Sequence, residues 1–364
     1  MGTGNLTIDE VSGDEGLREF CLFADEVNRH RSAYWPVIPD MHLPLLKGVG
    51  PISVDRQVLP LVARADGVIV ATVAAVVDQR YIDHWSEPLG HLVMFEALPD
   101  TAAAVRELMN EACGWLKGKG MEAARTGMGP GMDMPYLLDS YESLPPFVSR
   151  QNPPYYHFLL KEARFEAEKG WVDYKIEVTP ERVRLWEHML SATEEAGYQV
   201  ATLTELGEPR PIAQIASLWG EAFAHHWGMS PQSEDEWADQ LAMVGAIGGY
   251  DVSIMAHHGA EPVGVLFGMP DLSQLATVSN GRELRSDERL NMVGIGVRSS
   301  ARGRGVNLAL VARSFLELVK AGSTHLSYTL VLDDNWPSRR TAEKLGGQVC
   351  ANYMVYRRLL KGRV

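Results

Sequence analysis

The sequence contains little cysteine. Its 364 residues include three, Cys21, Cys113 and Cys350, which lie far apart and have no metal-ligand spacing. A domain stapled by disulfides carries more cysteines, and a zinc site needs paired ligands a few residues apart. We therefore expect buried, reduced thiols in a cytoplasmic protein and no bound metal.

Long apolar runs are also missing. The longest, VIVATVAAVV at 68–77, has about half the length that a membrane span needs. The N-terminal stretch MGTGNLTIDE has neither the basic nor the apolar part of an export signal. We expect a cytoplasmic protein that does not contact a membrane.

Basic residues are fewer than acidic ones: the chain has 34 Lys and Arg residues and 47 Asp and Glu residues, which give a formal net charge of -13. Such a molecule repels polyanions, which argues against nucleic acid as a partner. The remaining composition, 46% hydrophobic and 22% charged, is that of a globular protein. The chain is too long for one average domain and is comfortable for two.

The two halves of the chain repeat one order of predicted elements. A helix predicted at 179–197, with Pro180 in its first turn, separates them. The matching segments are the hairpins 59–79 and 250–271, the strands 90–98 and 290–297, the helices 100–120 and 306–321, and the Asn-to-Pro steps 151–166 and 334–349. We predict an α+β (mixed α/β) fold of two domains, each a mostly antiparallel sheet flanked by helices, over 1–178 and 198–364, with 179–197 as a helical linker.

The stretch VRSSARGRGVNLAL, 297–310, leads from a predicted strand into a predicted helix. Unpaired amides at a helix N-terminus attract phosphate oxygens, and Gly303 and Gly305 let the backbone approach a ligand. Arg302 and Arg304 add positive charge. The alternative is an exposed turn with two solvated arginines. Gly294 and Gly296, inside the preceding strand, predict a bulge or the close approach of another backbone.

These residues resemble the GNAT acyltransferases, the Gcn5-related N-acetyltransferase superfamily. The resemblance covers roughly 200–364, and the first half resembles a degenerate second copy, as in tandem-GNAT bacterial proteins. The matching positions are Val297 at the strand end, Arg302, Gly305 and Asn307 in the loop, and Asn335, Ser338 and EKLGG (343–347) in the later motif.

The resemblance implies transfer of an acyl group from acetyl-CoA to the amine of a small molecule, by direct attack and without a metal. It places the pantetheine arm along the strand that ends at Val297, whose neighbouring amide polarises the thioester carbonyl, and the pyrophosphate on the loop. The implied donor-binding residues are Ile295, Gly296, Val297, Arg302, Gly303, Arg304, Gly305, Val306, Asn307, Asn335 and Ser338.

Two positions depart from the family pattern. Many relatives carry a tyrosine seven residues after the motif asparagine, where this chain has Ala342. Tyr328, on a predicted strand, is a candidate for the acid that protonates the leaving thiolate, and a packed strand aromatic is the alternative. Asn307 is larger than the usual glycine or alanine, so it either narrows the pyrophosphate site or adds a hydrogen bond.

The segment GEAFAHHWGMS, 220–230, lies where GNAT domains hold the acceptor. Glu221 and His226 are the candidate bases for the proton of the amine, and His225 and Trp227 are candidate substrate-binding residues. A neighbouring His pair also occurs as a helix-end cap or a half-buried polar contact.

The first half has no glycine-rich loop after its strand 90–98, so we predict that it does not bind CoA in the family mode. Its Met-rich loop GMGPGMDMP, 127–135, lines an acceptor pocket at the domain interface in one interpretation and forms an apolar contact between the domains in the other. Three functions stay open: an acyl-CoA-dependent N-acyltransferase, an aminoacyl-tRNA-dependent transferase, and a non-catalytic ligand-binding protein. The oligomeric state is not predicted.

Overall fold

The structure, a computed structural model, describes residues 5–208, 210–279 and 281–360. The strands in these ranges are β1 Leu6–Glu10, β2 Ala33–Tyr34, β3 Arg56–Ala65, β4 Val68–Asp78, β5 Leu89–Ala97, β6 Ala123–Thr126, β7 Tyr136–Leu137, β8 Glu166–Glu177, β9 Tyr198–Thr202, β10 Ile254–His258, β11 Glu261–Met269, β12 Thr277–Val278, β13 Met292–Val297, β14 His325–Leu332 and β15 Gln348–Leu359. The helices are α1 Asp14–Asn28, α2 Leu43–Lys47, α3 Gln79–Trp85, α4 Ala102–Gly118, α5 Tyr156–Glu162, α6 Pro180–Glu195, α7 Leu203–Leu206, α8 Ile212–Phe223, α9 Glu234–Ala246, α10 Val306–Lys320 and α11 Trp336–Lys344.

Local chemistry explains where several of these elements begin and turn. Asp66 and Gly67 adopt φ 50° and 84° between β3 and β4, which confirms the predicted hairpin. Pro180 begins α6, and Thr179 Oγ1 caps it by accepting a hydrogen bond from the Arg182 amide.

Two main sheets organise the chain, and both are mostly antiparallel, which confirms the predicted mixed α/β class. The larger has nine strands in the order β1-β3-β4-β5-β6-β15-β8-β14, with β7 paired to β15. Its one parallel pair is β5 with β6. The smaller sheet has the order β13-β11-β10-β9, and the short pair β2 and β12 joins the two halves.

The last strand of the chain lies in the sheet that the first half builds. β15 pairs with β6, where Tyr356 faces Thr126, and with β8, where Tyr353 faces Trp171. β14 pairs with β8 and forms the edge of the larger sheet. β13 forms an edge of the smaller sheet, so the strands that flank the 298–305 loop and its helix belong to different sheets.

Two large hydrophobic cores lie between the helices and the sheets. In the first half α1 and α4 cover β3, β4 and β5, and in the second half α6 and α10 cover the smaller sheet together with β8 and β14 of the larger one. Trp186 of α6 and Phe315 of α10 are fully buried, with their ring centroids 5.3 Å apart. Burying an aromatic side chain of this size contributes about 2–3 kcal/mol.

A buried ion cluster joins the two halves. Arg56 and Arg80 of the first half both contact the carboxylate of Glu236 in α9, and Arg56 also pairs with Asp78 at 2.9 Å. Ser230 donates to Asp78 Oδ2 at 2.9 Å. No helix in the described part of the chain is long and apolar enough to cross a membrane.

Candidate functional site

Edge strands β13 and β14 meet at one end and separate at the other. Asn291 Oδ1 accepts a hydrogen bond from the Ser327 amide at 2.8 Å, and the Val293 carbonyl accepts one from Thr329 Oγ1 at 3.4 Å. Beyond this point no hydrogen bond joins the two strands within the ranges that the structure describes. The strands therefore form a V that opens toward Val297 and Leu332.

Two backbone N–H groups of β13 point into this V. Alternate residues of an antiparallel strand direct their N–H and C=O groups to the same side. The carbonyls of Asn291 and Val293 face β14, whereas the Arg298 amide donates to the Val263 carbonyl and continues the ladder with β11. By this alternation the N–H groups of Ile295 and Val297 face the gap.

The predicted bulge in this strand was wrong. β13 pairs with β11 without a register shift from Met292 to Val297. The two glycines instead make room for side chains of α8: a Cβ on Gly294 would lie 3.2 Å from the Trp219 ring, and one on Gly296 would lie 3.2 Å from the Phe223 ring. The close approach is therefore by side chains of α8, with the Ala222 Cβ 3.1 Å from a Cβ on Gly296, and not by another backbone.

The loop after β13 leads directly into the N-terminus of α10. Gly303 and Gly305 have φ 76° and 84°, a region that favours glycine, and Gly305 is the N-cap. Among the described residues, the N–H groups of Gly303, Arg304 and Gly305 have no hydrogen-bond acceptor. With the first-turn amides that follow, beginning at Val306, they form a concentration of donors at the positive end of the helix.

The two arginines of the loop differ in their contacts: one is hydrogen-bonded to the protein and the other is exposed. Arg302 folds back, donating from Nε to the Val297 carbonyl at 3.2 Å and from Nη2 to the Ala222 carbonyl at 3.1 Å. It therefore ties the loop to the end of β13 and to α8. Arg304 is exposed and makes no ion pair within the described residues, so its charge is free to meet an anion.

Asn307 and the later motif form a connected structural unit. Asn307 Nδ2 donates to Thr341 Oγ1 at 2.9 Å, which joins α10 to α11. Asn335 caps α11 by accepting from the Ser338 amide at 3.3 Å. The Ser338 hydroxyl in turn bonds the Tyr328 hydroxyl at 2.9 Å.

Tyr328 is a buried core residue of β14. Burial raises the pKa of its hydroxyl to about 12, and the hydrogen bond with Ser338 opposes this shift. Its position fits the packed-aromatic alternative, and its role as an acid stays a prediction. Ala342 is completely buried in the same core.

The 220–230 segment is held in place by α3 of the first half. The ring of His84 bonds the Ala224 carbonyl at 2.7 Å, and Trp85 Nε1 donates to the Met229 carbonyl at 2.8 Å. Between these points the Arg125 guanidinium lies 4.4 Å from the centre of the Trp227 ring. Trp227 thus packs against the first half, and its role as a substrate wall stays a prediction.

His226 lies across the open end of the V. Its ring contacts Phe223 and Trp171, with centroids 5.2 and 5.7 Å away, and its Nδ1 is buried without a hydrogen-bond partner in the described part of the chain. Burial lowers its pKa, while the Trp227 main chain and the nearby carboxylate of Asp334 oppose this effect. A neutral imidazole with a free ring nitrogen is able to accept a proton.

The other two polar candidates of this segment face solvent. His225 is exposed. Glu221 lies 3.6 Å from Arg298 Nε and accepts from Ser299 Oγ at 3.4 Å, on the surface beside the loop. The structure thus brings Glu221 next to the loop and His226 next to Trp171 and Asp334. Sequence reasoning missed these last two, because both lie far from the 220–230 segment in the chain.

A second V in the first half is filled by the chain itself. β5 and β6 pair in parallel from Leu89 to Leu92 and then separate, and β5 has a bulge at Met94. Asp133, in the Met-rich loop, accepts hydrogen bonds from the Met94 amide at 3.2 Å and the Gly127 amide at 2.9 Å. An acyl chain that entered this V would have to displace Asp133.

The Met-rich loop makes one contact between the halves and lines one cavity whose residues all belong to the first half. Met128 contacts Gly228 of the second half, as the domain-contact interpretation requires. Met132 and Met134 instead line a cavity within the first half. No group of three metal-ligating side chains is present among the residues that the structure describes.

Comparison with solved structures shows the fold. The chain superposes on a tandem GNAT protein from the clavulanic acid biosynthesis pathway with a TM-score of 0.61 at 11% identity, covering 99% of this chain and 100% of that one. It superposes on a GCN5-related N-acetyltransferase from Sphaerobacter thermophilus with a TM-score of 0.54 at 13% identity, covering 98% and 97%. The GCN5-related glucosamine N-acetyltransferase region of a fungal multi-domain GH3 β-N-acetylglucosaminidase gives 0.61 at 16% identity, and this chain spans 38% of that protein. No family model and no curated protein matches. The chain therefore has the tandem GNAT fold.

Proposed function

We propose that this protein is an acyl-CoA-dependent N-acyltransferase that transfers an acetyl group from acetyl-CoA to the amine of a small molecule. The observation that carries the proposal is the open V between β13 and β14, with the free amides of Ile295 and Val297 inside it and the amide-rich start of α10 at its mouth. Donor binding then belongs to the second domain, 198–364, and not to the first domain, 1–178, or the linker, 179–197.

The loop suits a pyrophosphate. Three unpaired amides, the first turn of α10 and the exposed guanidinium of Arg304 supply hydrogen-bond donors and positive charge at one point. The phosphates would lie on residues 302–307, with Gly303 and Gly305 allowing close approach and Arg302 holding the loop in position. Asn335 and Ser338 would contribute to this site indirectly, because their hydrogen bond fixes the start of α11, the helix that is hydrogen-bonded to the first turn of α10.

The V suits an extended pantetheine arm. The main chain of β13 offers the Ile295 and Val297 amides as an unpaired sheet edge, with Gly296 between them. An extended ligand pairs with such an edge as an added strand does. Acetyl-CoA supplies an activated thioester, and the Val297 amide would donate a hydrogen bond to the carbonyl oxygen as it gains negative charge.

Transfer joins the amine nitrogen to the carbonyl carbon, breaks the carbon–sulfur bond and releases one proton from the nitrogen. His226 is the better candidate to take that proton, because burial favours its neutral imidazole and its buried Nδ1 has no hydrogen-bond partner among the described residues. Glu221 serves through water in the alternative, with His225 and Trp227 lining the approach of the acceptor. The thiolate takes its proton from Tyr328 or from solvent.

Isothermal titration with acetyl-CoA tests donor binding. Wild-type protein should bind it, and Arg304→Glu should weaken binding at least tenfold because a carboxylate replaces a free guanidinium beside the pyrophosphate. Arg184→Glu, the same charge change on the exposed face of α6, is the matched control and should change affinity less than twofold. Absence of binding at high micromolar acetyl-CoA would reject the proposal.

Non-catalytic binding of an acyl-CoA is the second candidate function. It is favoured by Ala342, which leaves no hydroxyl at the usual position, and by the Tyr328 hydroxyl, which is engaged by Ser338. Thiol release from acetyl-CoA, measured over a panel of small primary amines, separates the two. Turnover with any amine supports the enzyme, and tight binding without turnover across the panel supports the binding protein.

A further inference from the structure

The first half contains a cavity of about 180 Å³ that is separate from the gap between β13 and β14, and its described lining residues all fall within 20–151. It lies between α1, the segment 35–42 and the two loops 131–134 and 147–151. An engineered cavity of about 150 Å³ in another protein is large enough to bind benzene. This one therefore accepts a ring-sized organic molecule with a short substituent.

The backbone around the cavity is strained. Three lining residues that are not glycine, Met94, Met132 and Val148, have φ 54°, 62° and 67°. A branched residue such as valine rarely adopts this region, and such conformations persist where the surrounding structure holds them for a function. The strain is concentrated at the β5 bulge and at both loops that close the cavity.

Buried polar atoms at the cavity lack partners. Asn28, at the end of α1, is 4% exposed, and its Oδ1 has no hydrogen-bond partner among the described residues. Arg150 Nε is also buried without a hydrogen-bond partner among the described residues, on a side chain that is 9% exposed. Each unpaired buried group is costly, so these atoms mark places where a ligand would contribute hydrogen bonds.

Acidic groups outnumber basic ones at this cavity. Glu96 and Asp133 line it, and Arg150 is the one guanidinium or ammonium group among the described lining residues. Arg150 is already paired with Asp133 at 2.8 Å and lies 3.5 Å from Glu96. Burial raises the pKa of Glu96 although Arg150 opposes the shift, so its carboxylate is incompletely compensated. His42, the other titratable nitrogen group, has its pKa lowered by burial and is neutral.

We propose that this cavity binds a small primary amine with an aromatic or compact apolar body. The ammonium group donates to Asn28 Oδ1 and faces Glu96. The body packs against the methionines and the Trp35 and Phe147 rings, which meet edge to face with centroids 5.2 Å apart. A ligand with a carboxylate could accept hydrogen bonds from Arg150 Nε and the Ser149 hydroxyl. It would, however, be repelled by the carboxylates of Glu96 and Asp133, which outnumber the single guanidinium of Arg150.

Calorimetric titration of the full chain with benzylamine, benzyl alcohol and benzoate, without acetyl-CoA, tests the charge and the shape together. Benzylamine should bind with a Kd below about 1 mM and at least tenfold more tightly than the other two probes. Equal binding of benzyl alcohol, or tighter binding of benzoate, would overturn the assignment of an amine. Absence of benzylamine binding at 10 mM or so would overturn the site.

Two variants locate the binding. Ala24→Phe, on the α1 face that lines the cavity, should abolish benzylamine binding by filling the space, whereas Leu22→Phe on the exposed face of α1 should not. Glu96→Gln keeps an acceptor for the Tyr156 hydroxyl and should weaken benzylamine at least fivefold while leaving benzyl alcohol unchanged.

The cavity and the donor site are separable by the same variants. Ala24→Phe and Glu96→Gln should both bind acetyl-CoA with wild-type affinity, which also shows that they fold. If benzylamine binding survives in Ala24→Phe, the amine binds elsewhere and the inference is rejected. Failure of acetyl-CoA to bind the wild type would reject the proposed function and leave the amine site standing.

Discussion

The side-chain amide of Asn307 donates a hydrogen bond to Thr341 Oγ1 over 2.9 Å, and this bond joins the first turn of α10 to α11. Asn307 occupies a position where the GNAT pattern has glycine or alanine, and its larger side chain forms a hydrogen bond with a residue outside the loop. Asn307→Ala should lower the free energy of unfolding by about 1 kcal/mol, the typical contribution of one such bond. Urea denaturation measures the change.

A double-mutant cycle isolates this bond. Thr341→Ala and the double variant complete it, and the Asn307→Ala loss should shrink in the Thr341→Ala background. Additive losses would show that the two residues do not interact. Acetyl-CoA affinity should change less than threefold in Asn307→Ala, because the amides of the loop remain.

Arg302 and Arg304 should affect donor binding in different ways. Arg302 bonds two carbonyls, of Val297 and Ala222, and a lysine offers a single ammonium without the planar fork that meets both. Arg302→Lys should therefore weaken acetyl-CoA severalfold while the dependence of affinity on salt stays unchanged. Arg304→Ala removes a free charge and should flatten the salt dependence. Titrations at several NaCl concentrations check both, and identical salt profiles for the two variants would contradict the distinction.

His226 should titrate below the ordinary histidine pKa of 6.5, because burial penalises the imidazolium. A lowered pKa keeps the ring neutral as the pH falls to 6.5, and the proton binds only below that. NMR titration of the histidine ring protons, with His226→Gln to assign the resonance, measures this directly. His225, which is exposed, is the comparison. Titration of His226 above 6.5 would remove it as a preferred base.

Glu236 should be a major contributor to the contact between the halves. Its carboxylate is 5% exposed and contacts Arg56 and Arg80, and Arg56 is itself 3% exposed. Glu236→Gln removes the carboxylate that Arg56 and Arg80 share, leaves Arg56 with Asp78 alone, and should destabilise the protein by about 3 kcal/mol. Glu107→Gln, which removes an exposed partner of Arg106, should change stability by less than about 0.5 kcal/mol. If thermal or urea unfolding showed the same loss of stability for Glu236→Gln and Glu107→Gln, the buried ion cluster would not be a major contributor to the contact between the halves.

Local chemistry predicted the elements of this fold well. The Asp66-Gly67 turn, the Pro180 helix start and the glycine-rich step into α10 all follow from residues that are close together in sequence. The position of β15 between β6 and β8 does not, because strand pairing across some 200 residues leaves no local signal.

The candidate site was predicted in part. The loop and strand of the donor site are one continuous stretch, so their residues come together as expected. The prediction of a bulge in β13 was wrong because a glycine in a strand can make room for an approaching side chain as well as for an irregular backbone. In the first half the bulge of β5 lies at Met94, and no glycine at that position indicates it in the sequence. Trp171 and Asp334 meet His226 only through the tertiary fold.

Hydrogen exchange of backbone amides with and without acetyl-CoA tests the central claim most directly. Acetyl-CoA should slow exchange in the peptides that cover 293–297 and 303–308, where the unpaired N–H groups of β13 and the loop would bond the ligand. Peptides that cover 89–97, in the V occupied by Asp133, should exchange at the same rate with and without it. Protection confined to 89–97, or no protection in either region at saturating acetyl-CoA, would contradict the account.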